Sequence, residues 1–155
     1  MKRWLLLSLL TVVPLAHALD LPYDAGADAN ANAQVQQALA AGRQAHKPTL
    51  LIFGTNWCGD CRALDASLHA ARNAALVNAH LEVVKIDVGN FDHNLELSQA
   101  YGDPIQKGIP AAVVVGADGK PVYTTKAGEL ANARKMRDTG IYDFFAKVAG
   151  VPAGH

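Results

Sequence analysis

The stretch FGTNWCGDC, residues 53–61, contains both cysteines of this 155-residue chain, Cys58 and Cys61. A disulfide that braces a fold stabilises it most when it closes a long loop, and this pair encloses only Gly59 and Asp60. The spacing therefore favours reactive thiols over a structural crosslink. The purely structural alternative predicts that Cys58→Ser unfolds the protein.

A strand pattern precedes the cysteine pair and a helix pattern follows it. Residues 49–53 (TLLIF) form an uninterrupted apolar run of strand length that ends at a glycine, which is typical of a strand buried on both faces. Over residues 62–76, apolar side chains recur every three or four positions and predict one helix. The CxxC is therefore expected at the start of a helix that directly follows a buried strand.

The rest of the chain alternates between strand and helix patterns. The predicted elements are a helix over 33–46, strands over 81–88, 111–115 and 121–125, a short helix over 95–101, and a closing helix with the apolar face Ile141, Phe144, Phe145 and Val148. Thr139 is the expected N-cap of that last helix. Strands separated by helices indicate an α/β protein with a partly parallel sheet.

Composition describes one globular domain. Half of the residues are hydrophobic, and 14 basic side chains balance 14 acidic ones, so that the formal net charge is zero. No block of like charges interrupts this balance, so the charge pattern gives no reason to expect nucleic acid as a partner.

The N-terminus has the pattern of a secretory signal peptide. Positive charge at Lys2 and Arg3 precedes an apolar run, and Ala16-His17-Ala18 fits a small-x-small cleavage site. A membrane anchor needs roughly 20 apolar residues, and this run is shorter. We therefore predict a signal peptide over 1–18, an N-terminal lead-in over 19–32 and one domain over 33–155. The mature protein is expected to be soluble in the periplasm or secreted, and not to span a membrane.

The spacing of the two thiols suits disulfide exchange. Residues three apart lie on the same face of a helix, so Cys58 and Cys61 can bond with little backbone movement. Unpaired N–H groups and the dipole at the helix start favour a thiolate on Cys58. Cys58 is the predicted nucleophile that attacks a substrate disulfide, and Cys61, buried behind it, releases the reduced product.

Residues 52–64 (IFGTNWCGDCRAL) resemble the active-site segment of the thioredoxin superfamily, in which a strand precedes Trp-Cys-x-x-Cys and a helix follows. Residues 84–88 (VKIDV) resemble the next strand of that family, and residues 108–110 (GIP) resemble its cis-proline loop. The resemblance covers about residues 33–150 and is greatest to secreted thioredoxin-like and disulfide-isomerase-like proteins. It implies a thioredoxin fold, with a central mixed β-sheet flanked by helices and the CxxC at a helix N-terminus.

The resemblance also implies roles for further residues. Pro110 would be a cis-proline packed against the cysteine pair, leaving the backbone beside Ile109 open to a substrate strand. Trp57 would shield the disulfide and shape the docking surface, and Gly59 belongs to the active-site motif. Lys85 would lie on the strand beside the active one.

One position departs from the family pattern. Many thioredoxins have a buried carboxylate six residues before the first cysteine, where this chain has Ile52, so the usual proton acceptor is missing. Asp60 lies between the cysteines instead. Its negative charge would oppose the Cys58 thiolate and thereby destabilise the reduced form. We therefore expect Asp60 to make the couple more reducing.

These features predict a thiol-disulfide oxidoreductase that needs no cofactor and acts on disulfide-containing client proteins. Oxidation is the least favoured role, because strong periplasmic oxidases carry a sizeable helical insertion and the stretch between positions 88 and 109 has room for one short helix. Isomerases of that compartment usually carry a separate dimerisation region, and none is visible here, so a reducing or exchange role is favoured. A membrane electron donor is the further partner that the resemblance implies.

A metal-binding function is the alternative from another class. Soft thiolates suit Cu(I), so Cys58, Cys61 and a histidine could form the site of a copper metallochaperone. A structural zinc site needs four ligands, and the chain has no second CxxC. Four histidines are available in principle: His46, His69, His80 and His93. Copper binding by the reduced protein in the presence of a strong chelator would favour this alternative over the enzyme.

Overall fold

The structure, a computed structural model of the chain, describes residues 21–23 and 31–152. The predicted signal peptide over 1–18 and most of the lead-in over 19–32 lie outside the described residues. Among the helices of the described part, none has the length and apolar character needed to cross a membrane.

The described part of the chain contains five α-helices and four strands. They are α1 (Ala31–Ala45), β1 (Thr49–Gly54), α2 (Gly59–His69), α3 (Ala71–His80), β2 (Glu82–Asp87), α4 (Leu95–Ala100), β3 (Ala111–Val115), β4 (Pro121–Thr124) and α5 (Asp138–Val148). Short 3-10 turns occupy Pro104–Lys107 and Ala133–Lys135. All four predicted strands are confirmed, and their ends differ from the prediction by one residue at most.

The four strands form one mixed sheet in the order β2-β1-β3-β4. The central strand β1 pairs in parallel with β2 and antiparallel with β3, and β3 pairs antiparallel with β4. Every residue of β1 and β3 is buried, which explains why both strands are continuous apolar runs without polar alternation. The predicted α/β class with a mixed sheet flanked by helices is confirmed, and the C-terminal end of β1 leads directly to the CxxC.

The single helix predicted over 62–76 is wrong. The chain forms two helices there, separated at Ala70, whose backbone is extended at φ −63° and ψ 137°. Asn73 is buried, and its side-chain amide donates to the carbonyl and the hydroxyl of Ser67, at 3.0 and 2.9 Å. These side-chain hydrogen bonds stabilise the break, which the alanine periodicity does not reveal.

The prediction of Thr139 as an N-cap is also wrong. Helix α5 begins at Asp138, and Arg137 occupies the cap position without a side-chain hydrogen bond to the helix. The carboxylate of Asp138 instead accepts a hydrogen bond from the hydroxyl of Ser67, at 2.7 Å. A contact with α2 therefore accompanies the start of α5, in place of a local cap. The apolar face of the closing helix is confirmed, with Ile141 and Phe145 in the core.

Candidate active site

The CxxC begins helix α2, as predicted. Cys58 is the N-cap residue with extended backbone, and its Sγ accepts the backbone N–H of Cys61 at 3.1 Å. Cys58 is 7% exposed, whereas Cys61 is fully buried. The helix start thus presents one sulfur near the surface and holds the other behind it.

The buried cysteine retains its proton. Burial raises the pKa of the Cys61 thiol well above its ordinary value, and the hydrogen bond and charge of Cys58 act in the same direction. A backbone hydrogen bond from Thr55 opposes this rise only in part. Cys61 is therefore a poor first nucleophile, and Cys58 is the more exposed of the two sulfur-bearing residues.

The predicted proline loop lies against the cysteine pair. The peptide bond between Ile109 and Pro110 is cis, as the resemblance implied. The thiol of Cys58 donates to the carbonyl of Ile109, with 3.7 Å between sulfur and oxygen. The loop therefore brings the backbone of Ile109 next to the sulfur of Cys58.

Trp57 forms an exposed apolar surface beside Cys58. It is 55% exposed, and its indole Nε1 donates to the carbonyl of Gly89 at 2.9 Å. Phe91 packs edge-on against it, with 6.4 Å between the ring centroids, and is itself 44% exposed. The loop after β2 thus orients the tryptophan.

Strand β2 places the charged residue Lys85 next to Ile52, the position where many thioredoxins have a buried carboxylate. Lys85 of β2 pairs in register with Ile52 of β1, and Ile52 is buried. The ammonium of Lys85 forms an ion pair with the carboxylate of Asp65 on α2. Sequence reasoning missed Asp65, although its position one helical turn after Cys61 was a usable signal.

The described lead-in residue Tyr23 packs behind the active-site loop, a role that its polar neighbourhood did not indicate. Tyr23 is 2% exposed; its backbone N–H donates to the side-chain oxygen of Asn56 at 2.9 Å, and the Asn56 amide donates back to the Tyr23 carbonyl. Its ring lies directly against Gly54, leaving no room for a Cβ there. Burial raises the pKa of Tyr23 well above its usual range, and the charges of Cys61 and Asp65 act in the same direction.

Asp60 is not an isolated charge beside Cys58. Its carboxylate accepts the backbone N–H of Arg134 at 2.9 Å, and its other oxygen lies 3.1 Å from the Arg134 guanidinium. The Asp60 side chain is 15% exposed and that of Arg134 is 67% exposed. No local motif indicates Arg134, because it lies 74 positions after Asp60 in the chain. The carboxylate beside Cys58 therefore has a counterion that the expectation for Asp60 did not include, and the effect of Asp60 on the redox couple stays a prediction.

The described part of the chain places no set of additional metal ligands beside the thiols. Within residues 21–23 and 31–152, no group of three or more histidine, cysteine, aspartate or glutamate side chains is arranged to hold a metal ion. The copper alternative requires a third ligand beside Cys58 and Cys61, and no histidine of this part of the chain provides it.

Comparisons with known proteins agree with this geometry. Residues 30–117 match the family described as Thioredoxin-like. A disulphide isomerase from Xylella fastidiosa Temecula1 is 72% identical, with a TM-score of 0.82 over 84% of this chain and 98% of that one. The reduced C-terminal domain of DsbD from Neisseria meningitidis is 21% identical and shares the fold, with a TM-score of 0.53 over 75% of this chain and 95% of that one. With Cys58 and Cys61 at the start of α2, the chain belongs to the thioredoxin-like family and is a thiol-disulfide oxidoreductase.

Proposed function

We propose that this oxidoreductase reduces or rearranges disulfides of client proteins outside the cytoplasm, with Cys58 as the attacking residue and Cys61 as the resolving one. The position of Cys58 at the start of α2, within 3.7 Å of the Ile109 carbonyl, is the observation that supports it most directly. The 72% identity to a protein described as a disulphide isomerase supports the same chemistry.

The reaction consists of two exchange steps. The Cys58 thiolate attacks one sulfur of the client disulfide; the other client sulfur leaves as a thiolate and is protonated. Cys61 then loses its proton and attacks the Cys58 sulfur, which forms the Cys58–Cys61 disulfide and releases the second client thiol. Two electrons pass to the client. In isomerisation, a second client thiol attacks the mixed disulfide instead and returns Cys58 to its reduced form.

Client binding would use the backbone beside Ile109 together with the apolar surface of Trp57 and Phe91. A cleft of about 440 Å³ adjoins this surface, lined in part by Phe91, Ile105 and Gly108. An extended client segment paired with the Ile109 backbone could place an apolar side chain there. Pro110 would keep this backbone accessible beside the sulfur.

The proposed location and partners follow from the sequence. A signal peptide over 1–18 would deliver the domain over 33–155 to the periplasm or the exterior. Each reduction of a client leaves the Cys58–Cys61 pair oxidised, so a reducing role requires an electron donor. A membrane-bound donor that passes electrons from the cytoplasm is the partner we propose.

Insulin reduction with a glutathione-based electron supply tests the chemistry. We expect wild type to accelerate precipitation of the insulin B chain and Cys58→Ser to be inactive but folded. Reduced Cys61→Ser, incubated with insulin in the absence of glutathione, should accumulate a mixed disulfide through Cys58, because the resolving thiol is missing. Absence of insulin reduction by wild type, or unfolding of Cys58→Ser, would contradict the proposal.

Two further measurements distinguish the possible roles. Recovery of scrambled ribonuclease measures isomerisation, and equilibration in glutathione buffers gives the reduction potential. A reduction potential of about −270 mV would support a reductant, and one of about −120 mV would indicate an oxidant. Localisation of the native protein by cell fractionation tests the periplasmic address separately.

A further inference from the structure

We propose that Arg134, on the loop between β4 and α5, sets the redox reactivity of Cys58 by holding Asp60 in an ion pair at the active site. This inference rests on the proposed exchange reaction at Cys58. Arg134 is a positioning residue in that reaction, since the structure places it against Asp60 and Gly59 and not on a reacting sulfur.

The contact between the loop and the CxxC involves both backbone and side chain. One oxygen of the Asp60 carboxylate accepts the backbone N–H of Arg134, and the other accepts its Nη2. The loop itself is anchored, because Leu130 is fully buried and Ala133 is 2% exposed. The carboxylate is therefore tied to a packed loop as well as to a long side chain.

The guanidinium of Arg134 also covers the residue next to the nucleophile. A Cβ at Gly59 would lie 3.2 Å from Nη1 and 3.3 Å from both Cζ and Nε of Arg134. This close approach gives a reason for glycine at position 59, because a larger side chain would displace the guanidinium. The positive charge is thus held one residue from Cys58 and beside Asp60.

Both members of the pair stay charged through the neutral range. Partial burial acts to raise the pKa of Asp60, but the hydrogen bonds from the Arg134 side chain and backbone and the charges of Arg134 and Lys135 lower it below its ordinary value. The hydrogen bond and charge of Asp60 raise the pKa of Arg134, and the charge of Cys58 adds to this rise. The electrostatic effect on Cys58 is therefore that of an ion pair.

The two charges act on Cys58 in opposite directions. A thiolate forms only in the reduced protein, so a nearby positive charge stabilises the reduced form and a negative charge destabilises it. Removal of Arg134 leaves the charge of Asp60 uncompensated and should make the couple more reducing. Removal of the Asp60 charge leaves Arg134 and should make it more oxidising. Removal of both should restore a value close to wild type.

The test is a double-mutant cycle of Arg134→Ala and Asp60→Asn, measured by equilibration in glutathione buffers and by the rate at which iodoacetamide alkylates reduced Cys58 at pH 7. A unit charge about 6 Å from a thiolate in a water-like dielectric changes an equilibrium by roughly threefold. We expect shifts of about that size in opposite directions, which corresponds to about 14 mV for a two-electron couple. Arg134→Lys should recover part of the effect, because it keeps the charge.

Arg137→Ala is the matched control, since Arg137 is an exposed arginine of the same loop and caps α5 through its backbone only. Shifts of Arg134→Ala and Asp60→Asn in the same direction, or shifts no larger than that of Arg137→Ala, would overturn the proposal. Should Arg134→Ala unfold, Arg134→Gln retains a planar group over Gly59 and gives the same comparison. The potential needs no client protein, so an inactive wild type in the insulin assay would refute the proposed function separately from this result.

Discussion

Lys85 and Asp65 form an ion pair between β2 and α2, directly beside the apolar Ile52 that replaces the family's buried carboxylate. Their side chains are 26% and 18% exposed, so the pair is partly withdrawn from water. The carboxylate that pairs with Lys85 therefore lies on α2, the helix that begins at the cysteines, and not on the central strand β1.

Asp65→Asn should lower the free energy of unfolding by about 1 kcal/mol, because it leaves the ammonium of Lys85 partly buried without its partner. Urea unfolding of the oxidised protein measures the loss. The double variant Asp65→Asn/Lys85→Met removes both charges and should be more stable than Asp65→Asn alone. An unfolding free energy of Asp65→Asn equal to that of wild type would show that the pair does not contribute to stability.

Local patterns were sufficient to predict the parts of the fold that position the nucleophile. Strands β1 and β3 are buried throughout, and their uniform apolar runs are visible in the sequence. The resemblance to thioredoxins correctly implied the cis bond before Pro110. These features depend on neighbouring residues or on a short motif, so they require no knowledge of how distant segments pack.

The environment of the CxxC could not be predicted in the same way. Arg134 reaches Asp60 from 74 positions away, and Tyr23 bonds Asn56 from 33 positions away. Neither contact leaves a periodic pattern, because loop packing and not helical or strand geometry brings the partners together. The counterion of Asp60 was missed for this reason: the sign of the charge is visible in the sequence, but its ion-pair partner is not.

Reduced protein should lose stability as the pH rises above about 8.5. An unfolded chain releases a cysteine proton near that pH, whereas burial raises the pKa of Cys61 in the folded protein. The folded state then binds more protons than the unfolded state, so the free energy of unfolding falls as pH increases, by up to about 1.4 kcal/mol per pH unit for one group. Urea unfolding from pH 7.5 to 10 measures this slope.

Two controls accompany the pH series. Cys61→Ser removes the titrating thiol, so its reduced form should show a flatter profile between pH 8.5 and 10. The oxidised wild type has no thiol to titrate, so its stability should also change little between pH 8.5 and 10. The raised pKa of Tyr23 adds a further decline above pH 10 in both redox forms. Identical slopes for reduced and oxidised protein would contradict the assignment to Cys61.

Tyr23→Ala should destabilise the protein by about 3–5 kcal/mol, the usual cost of removing a buried aromatic ring. The ring is 2% exposed and packs against Gly54. Tyr23→Phe keeps the ring and should lose much less stability. Gly54→Ala should destabilise the protein, because the added methyl group would meet the Tyr23 ring. Thermal unfolding of the mature chain measures all three. A small loss in Tyr23→Ala would mean that the lead-in does not stabilise the active-site loop.

Trp57→Ala should slow insulin reduction by about tenfold while leaving the reduction potential unchanged. The indole contacts the Gly89 carbonyl and Phe91 and is 55% exposed, so its truncation removes the apolar surface proposed to bind clients without altering the hydrogen bonds of the sulfurs. An exposed aromatic anchor at an interface commonly contributes more than 1 kcal/mol to binding, which corresponds to a loss of this size.

Two controls accompany this prediction. Trp57→Ala should reduce a small disulfide such as oxidised glutathione at the wild-type rate, because so small a substrate needs no docking surface. Val122→Ala removes another exposed apolar side chain, from the edge strand β4, and should change neither rate. An equal loss of activity towards insulin and the small disulfide would show that Trp57 acts on the sulfur chemistry instead.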